Sequence, residues 1–294
     1  MSAAVVLKAY GSPERLADVP AYYADIRGGR PIPPELMEDL VERYRRLGIE
    51  DGSPLNAITE ETRTSLERAL GDVPVFTGMK HWTPRIAEAA DAAVAAGAET
   101  IVGLVLAPHY SSMSIAGYRE QLEAAVGDRA ELAFIESWHD EPGFIGFLAE
   151  RVRGTDAHVV FTAHSLPARI LESGDPYKDQ LLETAQLVAE RAALETCSFS
   201  FQSESRTGEP WLGPDILDHL RDLHCGGVRE VLVCPVGFVA DHLEIRWDLD
   251  HEAADLAEAL GLGFRRIEMP NADPAFVQVL AGLVRRVLAV PSEV

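Results

Sequence analysis

The sequence has little cysteine, few basic residues for its acidic ones, and no long apolar run. Its 294 residues include three cysteines, Cys197, Cys225 and Cys234, and no two of them form a CxxC pair. So few, unpaired cysteines argue against a disulfide framework and predict a reducing compartment. They also argue against a cysteine-ligated zinc site or an iron–sulfur cluster.

Basic residues are outnumbered: 26 Lys and Arg stand against 47 Asp and Glu, which gives a formal net charge of −21. A surface of this charge repels a phosphate backbone, so a nucleic-acid partner is not expected. Such acidity is also typical of merely soluble or halophilic surfaces. The overall charge therefore assigns no cation site by itself.

No apolar stretch approaches the roughly 20 residues that a bilayer-spanning helix needs, so no membrane span is expected. The first residues, MSAAVVLKAYGSP, reach Lys8 and a turn after only a few apolar positions. This segment is therefore not typical of a signal peptide and favours a buried strand. We expect a cytoplasmic protein.

Short β-rich runs alternate with longer helical patterns, which predicts parallel α/β units. Four runs precede the segment EPGFIGFLAERVRG, a predicted crossover helix, and four follow it. The runs cover 4–10, 73–80, 100–109, 131–138, 158–165, 197–203, 229–238 and 263–269. We predict an α/β fold of two similar Rossmann-like lobes, each a four-stranded parallel sheet flanked by helices, with the active-site cleft between them.

The predicted domains are an N-terminal lobe, residues 1–150, and a C-terminal lobe, residues 151–294, whose final helix is expected to pack back on the first lobe. Residues 11–56 form a long insertion between the first two strands. It concentrates basic and aromatic residues in a very acidic chain: Tyr22, Tyr23, Arg27, Arg30, Arg43, Tyr44, Arg45 and Arg46. A lid or binding wall is one interpretation. A helical hairpin with solvated charges is the other.

Polar and aromatic side chains follow the carboxyl ends of the predicted strands, where open parallel sheets bind their ligands. Their convergence predicts a site in the cleft. They are Tyr10, Lys80, His81, His109, Trp138, His164, Ser165, Gln202, Glu204, Phe238, Asp241, His242 and Glu244.

Two features of this set predict chemistry. His164 ends a strongly apolar strand and is followed by Ser-Leu-Pro, and the proline restricts how the chain leaves the strand tip. Glu244, Asp248 and Glu252 follow one another at i, i+4 and i+8, which places them on one face of a helix. A structural histidine and a solvated acidic face are the alternatives.

An imidazole opposite a row of carboxylates is suited to moving a divalent cation. Nitrogen and oxygen ligands fit ferrous iron and similar metals. An imidazole also titrates near neutral pH, so His164 can accept protons that a metal displaces.

Nine segments resemble the hallmark motifs of the ferrochelatase family, in order along essentially the whole chain. They are YYADIRGGR (22–30), GSPLNAIT (52–59), GMKHW (78–82), LAPHYSSMS (106–114), ESWHDEP (136–142), FTAHSLP (161–167), SFQSESRTGEPWLGPD (200–215), CPVGFVADHLEIRWDLD (234–250) and EMPNADP (268–274).

The resemblance implies a metal chelatase, a lyase of haem biosynthesis, that exchanges ferrous iron for two pyrrole protons without an organic cofactor. His164 and Glu244 would handle the metal and the protons. Asp248 and Glu252, with His81 nearby, would form an outer path for iron, with a further divalent ion as an option there. The family also implies a π-type widening of the helix that carries the row.

The resemblance further suggests coproporphyrin III as the porphyrin, because Tyr10 occupies a position where the coproporphyrin enzymes carry tyrosine. Coproporphyrin has four propionates, which basic and hydroxyl side chains can hold. The expected binding residues are Tyr10, Arg27, Arg43, Tyr44, Ser53, Ser114 and Tyr118. RRLGIEDG before Ser53 appears longer than in the family, and this apparent insertion affects one expected propionate contact.

Other functions stay open at this point. Within catalysis they are a protoporphyrin IX ferrochelatase and a chelatase for a sirohydrochlorin-type ring. A non-catalytic haem or porphyrin carrier would need Tyr10 and the arginines, but has no need for His164 with three carboxylates. The chain ends soon after its closing helix, so the extension that holds an iron–sulfur cluster in some relatives is not expected. We expect a monomer that meets other haem-pathway enzymes transiently.

Overall fold

The computed structural model describes residues 2–48, 53–205 and 208–289, and its described strands form two four-stranded parallel sheets. All eight predicted strands are present, and all but β1 are shorter than their apolar runs. They are β1 (Ala3–Ala9), β2 (Val75–Met79), β3 (Thr100–Val105), β4 (Glu131–Ile135), β5 (His158–His164), β6 (Cys197–Gln202), β7 (Glu230–Cys234) and β8 (Gly263–Arg266). Most of the trimmed residues belong to loops at the carboxyl ends of the strands.

The two sheets have the same topology. Their strand orders are β2-β1-β3-β4 and β6-β5-β7-β8, so in each half the first strand lies between the second and the third. Val5 in β1, for example, pairs with both Val75 and Val102. The predicted fold of two similar parallel α/β halves is confirmed. The central strands are almost wholly apolar because helices cover both of their faces.

Helices connect and cover the strands. They are α1 (Val19–Ile26), α2 (Pro34–Arg46), α3 (Leu55–Leu70), α4 (Ile86–Ala95), α5 (Ile115–Val126), α6 (Pro142–Val152), α7 (Tyr177–Ala192), α8 (Ile216–Cys225), α9 (Ala254–Leu260) and α10 (Pro274–Ala289). Helices α4 and α5 cover one face of the first sheet. A π-helix, Ile245–Ala253, runs directly into α9, and together with α8 these helices cover one face of the second sheet.

One hydrophobic core joins the two halves. It contains Val5 and Leu7 of the first sheet, Val159 and Phe161 of the second, and the inner faces of α6 and α10. The predicted domain boundary at 150/151 lies inside α6, so it falls within a packed helix and not in a linker. The final helix, α10, lies against α3 and α6, and Arg285 donates to the carbonyl of Ala69 at 2.5 Å.

The described residues of the insertion, 11–48 and 53–56, include helices α1 and α2 and the first two residues of α3. Val19 and Tyr44 form the centre of a small apolar cluster that includes Leu243 of the second half. The hairpin therefore reaches across to the other lobe. The apparent insertion before Ser53 falls on residues 49–52, which lie outside the described residues. No helix in the described part of the chain is long and apolar enough to cross a membrane.

Candidate active site

The carboxyl ends of the two sheets meet around a cavity of about 380 Å³, within the size range of small-molecule sites. Residues that follow β1, β3, β5 and β7 all line it. Seven of the predicted site residues are among its lining residues: Tyr10, Tyr44, Ser53, Ser114, Tyr118, His164 and Glu244.

His164 and Glu244 face each other in this cavity. The His164 Nε2 atom lies 3.8 Å from Glu244 Oε1, and the two side chains are 35% and 37% exposed. The backbone of His164 is held from the other side, because the Tyr177 hydroxyl donates to its carbonyl at 3.0 Å. Its buried Nδ1 has no hydrogen-bond partner among the described residues. The strand tip is thus held in place, and the Nε2 of its imidazole faces a carboxylate.

A second imidazole, His242, flanks the same carboxylate. Its Nδ1 donates to the carbonyl of Ala240 at 2.9 Å, and its Nε2 lies 3.7 Å from Glu244 Oε2. The sequence placed His242 after a strand end but gave it no role. Only the structure shows that each oxygen of Glu244 faces one imidazole.

The two imidazoles decide the charge of Glu244. Burial opposes ionisation of this carboxyl, but His164 and His242 outweigh it and bring its pKa down to about 2. Burial likewise lowers the pKa of His242, yet the Glu244 carboxylate raises it above its ordinary value. The site therefore holds an anionic carboxylate between two imidazoles.

Asp248 lies behind Glu244 on the π-helix, and its side chain is only 8% exposed. Ser203 Oγ donates to its Oδ2, and Gln202 Nε2 lies 3.5 Å from the same oxygen. Burial raises the pKa of Asp248 to about 7, and the nearby Glu244 carboxylate adds to the effect. A solvated acidic face is therefore excluded for Asp248.

The helix that carries the row is widened, as the resemblance implies. Ile245–Ala253 form a π-helix, in which Ala254 N–H reaches back to the carbonyl of Leu249. Such local π-geometry often marks functional sites. Glu252 is half-buried one turn beyond Asp248 and contributes to the raised pKa of Asp248. The row therefore leads from the cavity past a buried acid to a half-buried one.

Tyr10 lines the cavity and is 42% exposed, while His81 lies behind it. The ring centroids of Tyr10 and His81 are 4.6 Å apart. His81 Nδ1 bonds to Asp25 at 2.9 Å, in the first half of the chain. His81 is thus bonded within the first half, and its expected place beside the acidic row stays a prediction.

The two arginines expected to bind propionates are not among the lining residues. The guanidinium of Arg43 lies 5.1 Å from the ring centroid of Trp247 and 3.3 Å from Asp39. Arg27, at the end of α1, is half-buried. Tyr44 and Arg43 are neighbours on α2 and therefore point in different directions. Tyr44 is buried toward the cavity, and Arg43 points toward the π-helix.

The other arginines of the insertion are solvated: Arg45 and Arg46 pair with Glu42 on the surface, and Arg30 is exposed. The aromatic members behave differently, because Tyr22 and Tyr23 line the cavity with Tyr44. Both interpretations of this cluster therefore hold in part. Its tyrosines form a wall, and its outer arginines are surface charges.

Six of the chain's seven tyrosines line the cavity. Tyr177, on α7, was missed by the sequence interpretation because nothing in its neighbourhood distinguishes it from a core residue. His109 was noted as a strand-end residue without a role. Its Nε2 donates to Thr184 Oγ1 at 2.9 Å, and burial lowers its pKa to about 3. His109 is therefore a neutral member of the lining.

No three His, Cys, Asp or Glu side chains within 2–48, 53–205 and 208–289 are grouped so that they could hold a metal ion together. The divalent ion considered for the outer row stays a prediction. The arrangement at the cavity is an imidazole–carboxylate–imidazole set, which can exchange protons and contact a cation on its way through.

Comparison with known proteins places these features in one family. A family model described as ferrochelatase matches residues 2–288. The chain is 41% identical over 301 residues to a ferrochelatase of Deinococcus radiodurans, covering 96% of this chain and 95% of that protein. It is 40% identical over 304 residues to a coproporphyrin III ferrochelatase of Halalkalibacterium halodurans, covering 97% of each.

Two solved structures share the fold. SirB from Bacillus subtilis with Fe3+ superposes with a TM-score of 0.62 at 12% identity, covering 98% of this chain and 96% of that one. CbiX, described as the terminal enzyme for biosynthesis of siroheme in denitrifying bacteria, gives a TM-score of 0.52 at 14% identity, covering 99% and 100%. At these identities the likeness concerns the fold alone.

Proposed function

This chain belongs to the ferrochelatase family, and from that premise we propose that it inserts ferrous iron into coproporphyrin III to give iron-coproporphyrin. In the reaction one Fe²⁺ enters the ring and two pyrrole protons leave it. The observation that carries the proposal is the shared cavity, which Tyr10, His164 and Glu244 all line.

His164 is the proposed first proton acceptor. Its Nε2 lies 3.8 Å from the Glu244 carboxylate, and His164 lines the cavity. His242, on the other oxygen of Glu244, is placed to take part in the second transfer. Two imidazoles around one carboxylate match the two protons that the reaction releases.

Glu244 and the row behind it are proposed to receive the iron. Because the pKa of Glu244 is about 2, the carboxylate is ionised at neutral pH and attracts a cation. Oxygen and nitrogen groups bind ferrous iron without the strong hold of thiolates. Asp248 and Glu252 would pass iron inward or protons outward, and the pKa of Asp248, about 7, suits reversible proton exchange.

The choice of coproporphyrin III rests on Tyr10 and on hydroxyl groups. Tyr44, Ser53, Ser114 and Tyr118 line the cavity and offer O–H donors to propionate carboxylates. Arg27 and Arg43 stand farther back, so hydroxyls replace guanidinium groups as the proposed propionate partners. Relatives with similar identity carry both names, ferrochelatase and coproporphyrin III ferrochelatase.

The deciding experiment compares the two porphyrins. Under anaerobic conditions with Fe²⁺, the wild type should consume the free-base absorption of coproporphyrin III with kcat/KM at least about tenfold above that for protoporphyrin IX. His164→Ala should bind porphyrin but insert almost no iron into either ring. A clear preference for protoporphyrin IX would show that the substrate proposal is wrong, with the chelatase assignment intact.

Two other functions yield different results in the same assay. A sirohydrochlorin-type chelatase would leave both porphyrins unmetallated, and a carrier would bind porphyrin with no dependence on His164. A carrier does not explain why both oxygens of Glu244 face imidazoles. The cytoplasmic location, the monomeric state and transient contacts with haem-pathway enzymes stay predictions.

A further inference from the structure

Asp175 is a buried carboxylate that joins the two halves of the chain next to the cavity. It lies between a 3-10 turn, Ala168–Ser173, and helix α7, and it is 8% exposed. It is not among the residues that line the cavity. Any effect of Asp175 on the reaction must therefore pass through other residues.

Four donors converge on Asp175. Its Oδ2 accepts from Ser112 N–H at 2.7 Å, from Ser112 Oγ at 2.6 Å and from Ser111 Oγ at 3.1 Å. Its Oδ1 accepts from Tyr177 N–H at 3.0 Å. Asp175 forms no salt bridge with any Lys, Arg or His of the described chain, so only hydrogen bonds compensate this charge. Carboxylates accept such bonds strongly because they are anionic.

The serine donors fix the wall that the first half contributes. They belong to the loop between β3 and α5, and the carbonyl of Ser111 accepts from the N–H groups of Ser114 and Ile115. Ser114 lines the cavity, and so does Tyr118 on the first turns of α5. Because Asp175 bonds to Ser111 and Ser112, it also fixes the position of this porphyrin-facing wall.

The fourth donor leads to His164. Tyr177 begins α7, its ring lines the cavity, and its hydroxyl donates to the carbonyl of His164 at 3.0 Å. Asp175 thus bonds to the cavity wall of the first half. It also bonds to Tyr177, two residues further along the chain, whose hydroxyl holds the strand tip of the second half.

We infer that Asp175 is a positioning residue, which keeps His164 in register with the cavity wall of the opposite half by clamping Ser111 and Ser112 to the start of α7. The inference rests on the proposed iron insertion, in which His164 must meet a ring held partly by that wall. A displacement of about 1 Å between reacting groups can cost about a hundredfold in rate.

Asp175→Asn is the test variant, because the amide has the same shape but only one oxygen that can accept. Asp175→Asn therefore loses either the three hydrogen bonds from Ser111 and Ser112 or the hydrogen bond from Tyr177 N–H. We expect kcat for iron insertion to fall at least about tenfold, while the Kd for porphyrin, measured by fluorescence, changes much less. A folded Asp175→Asn protein with wild-type kcat overturns the inference.

Asp215→Asn is the matched control. Asp215 begins α8 in the same way, its Oδ1 accepting Leu217 N–H at 2.8 Å, but Leu217 does not line the cavity, whereas Tyr177 does. The amide of Asp215→Asn keeps the one oxygen that accepts this bond, so this variant should keep the wild-type kcat, whereas Asp175→Asn should lower it. Equal kcat losses in the two variants would mean that Asp175 has a purely structural role.

A double mutant tests whether Ser112 affects the reaction through Asp175. Because Ser112 acts through Asp175, the kcat loss in Asp175→Asn with Ser112→Ala should be smaller than the two single losses combined, whereas additive losses contradict the clamp. If Asp175→Asn does not fold, Ser112→Ala decides, since it removes one donor and should still lower kcat. Every variant is assayed on the porphyrin that the wild type uses, so a wrong substrate proposal is seen in the wild type and does not affect this comparison.

Discussion

At the scale of single residues, Glu244 and Asp248 show how position sets the state of an acid. They are four residues apart on one helix, yet their pKa values move in opposite directions, to about 2 and about 7. Burial opposes ionisation of both. Two imidazoles stabilise the charged form of Glu244. Asp248 has a hydrogen bond from Ser203, and the charged Glu244 carboxylate nearby opposes its ionisation. One acid of the row is therefore anionic and the next exchanges protons near neutral pH.

Asp248→Asn should make stability less dependent on pH. The folded-state pKa of Asp248 is about 7 against an ordinary value of 3.8, so the folded protein holds a proton that the unfolded chain releases between these values. The wild type therefore loses stability as the pH rises through this window. Relative to the wild type, Asp248→Asn should gain about 1–3 kcal/mol in unfolding free energy between about pH 5 and pH 8.

Urea unfolding at the two pH values measures this gain. Asp218→Asn serves as control, because the side chain of Asp218 is 75% exposed and lies on α8. Its stability difference from the wild type should be the same at both pH values. If the stability difference between Asp248→Asn and the wild type were also the same at both pH values, Asp248 would not be a buried, protonated acid.

At the scale of elements, the close contact between β5 and the loop after β7 places the imidazole opposite the carboxylate. Gly237 N–H donates to the carbonyl of Thr162 at 3.1 Å. A Cβ on Gly237 would lie 2.5 Å from the Cβ and 2.8 Å from the Cα of Ala163. Only glycine allows this approach, and His164 and Glu244 follow on its two sides.

Gly237→Ala should therefore displace the loop that leads to Glu244. Because the clash involves backbone, the chain must shift, and we expect iron insertion to slow by at least about tenfold. Gly282→Ala is the matched control, since a Cβ there meets nothing within 4 Å on α10. That change should stabilise the protein by about 0.5–1 kcal/mol and leave activity unchanged. Wild-type activity in Gly237→Ala would show that the contact does not position the pair.

At the scale of the whole molecule, the two halves share a core and should unfold together. Phe276 of α10 is fully buried, and its ring centroid lies 6.1 Å from that of Trp138 and 5.8 Å from that of Phe147. A helix near the end of the chain thus completes the core of the first half.

Phe276→Ala should lower the unfolding free energy by about 3–5 kcal/mol, through lost burial and the cavity it leaves. Leu182→Ala, on the exposed face of α7, should change it by about 0.5 kcal/mol or less. Calorimetry should show a single transition in the wild type, and a variant in which only one half melts early would contradict the shared core.

The sequence by itself determined the strands, their grouping and the family. The short apolar runs show where the strands lie. Strands β1 and β5 are rich in apolar residues because helices cover both of their faces. The positions of His164 and Glu244 after strand ends were sufficient to place both at the site, since parallel strands end at the same edge.

Only the tertiary structure decided which strand-end residues meet. His81 and Trp138 also follow strands, yet one packs behind Tyr10 and the other enters the core. Tyr177 entered the site unforeseen, and the place of His242 beside Glu244 was not predicted. The direction of a side chain depends on helical phase and on packing between distant segments, which local spacing does not encode. The sequence therefore determined the site's location, and packing between the two halves determined its members.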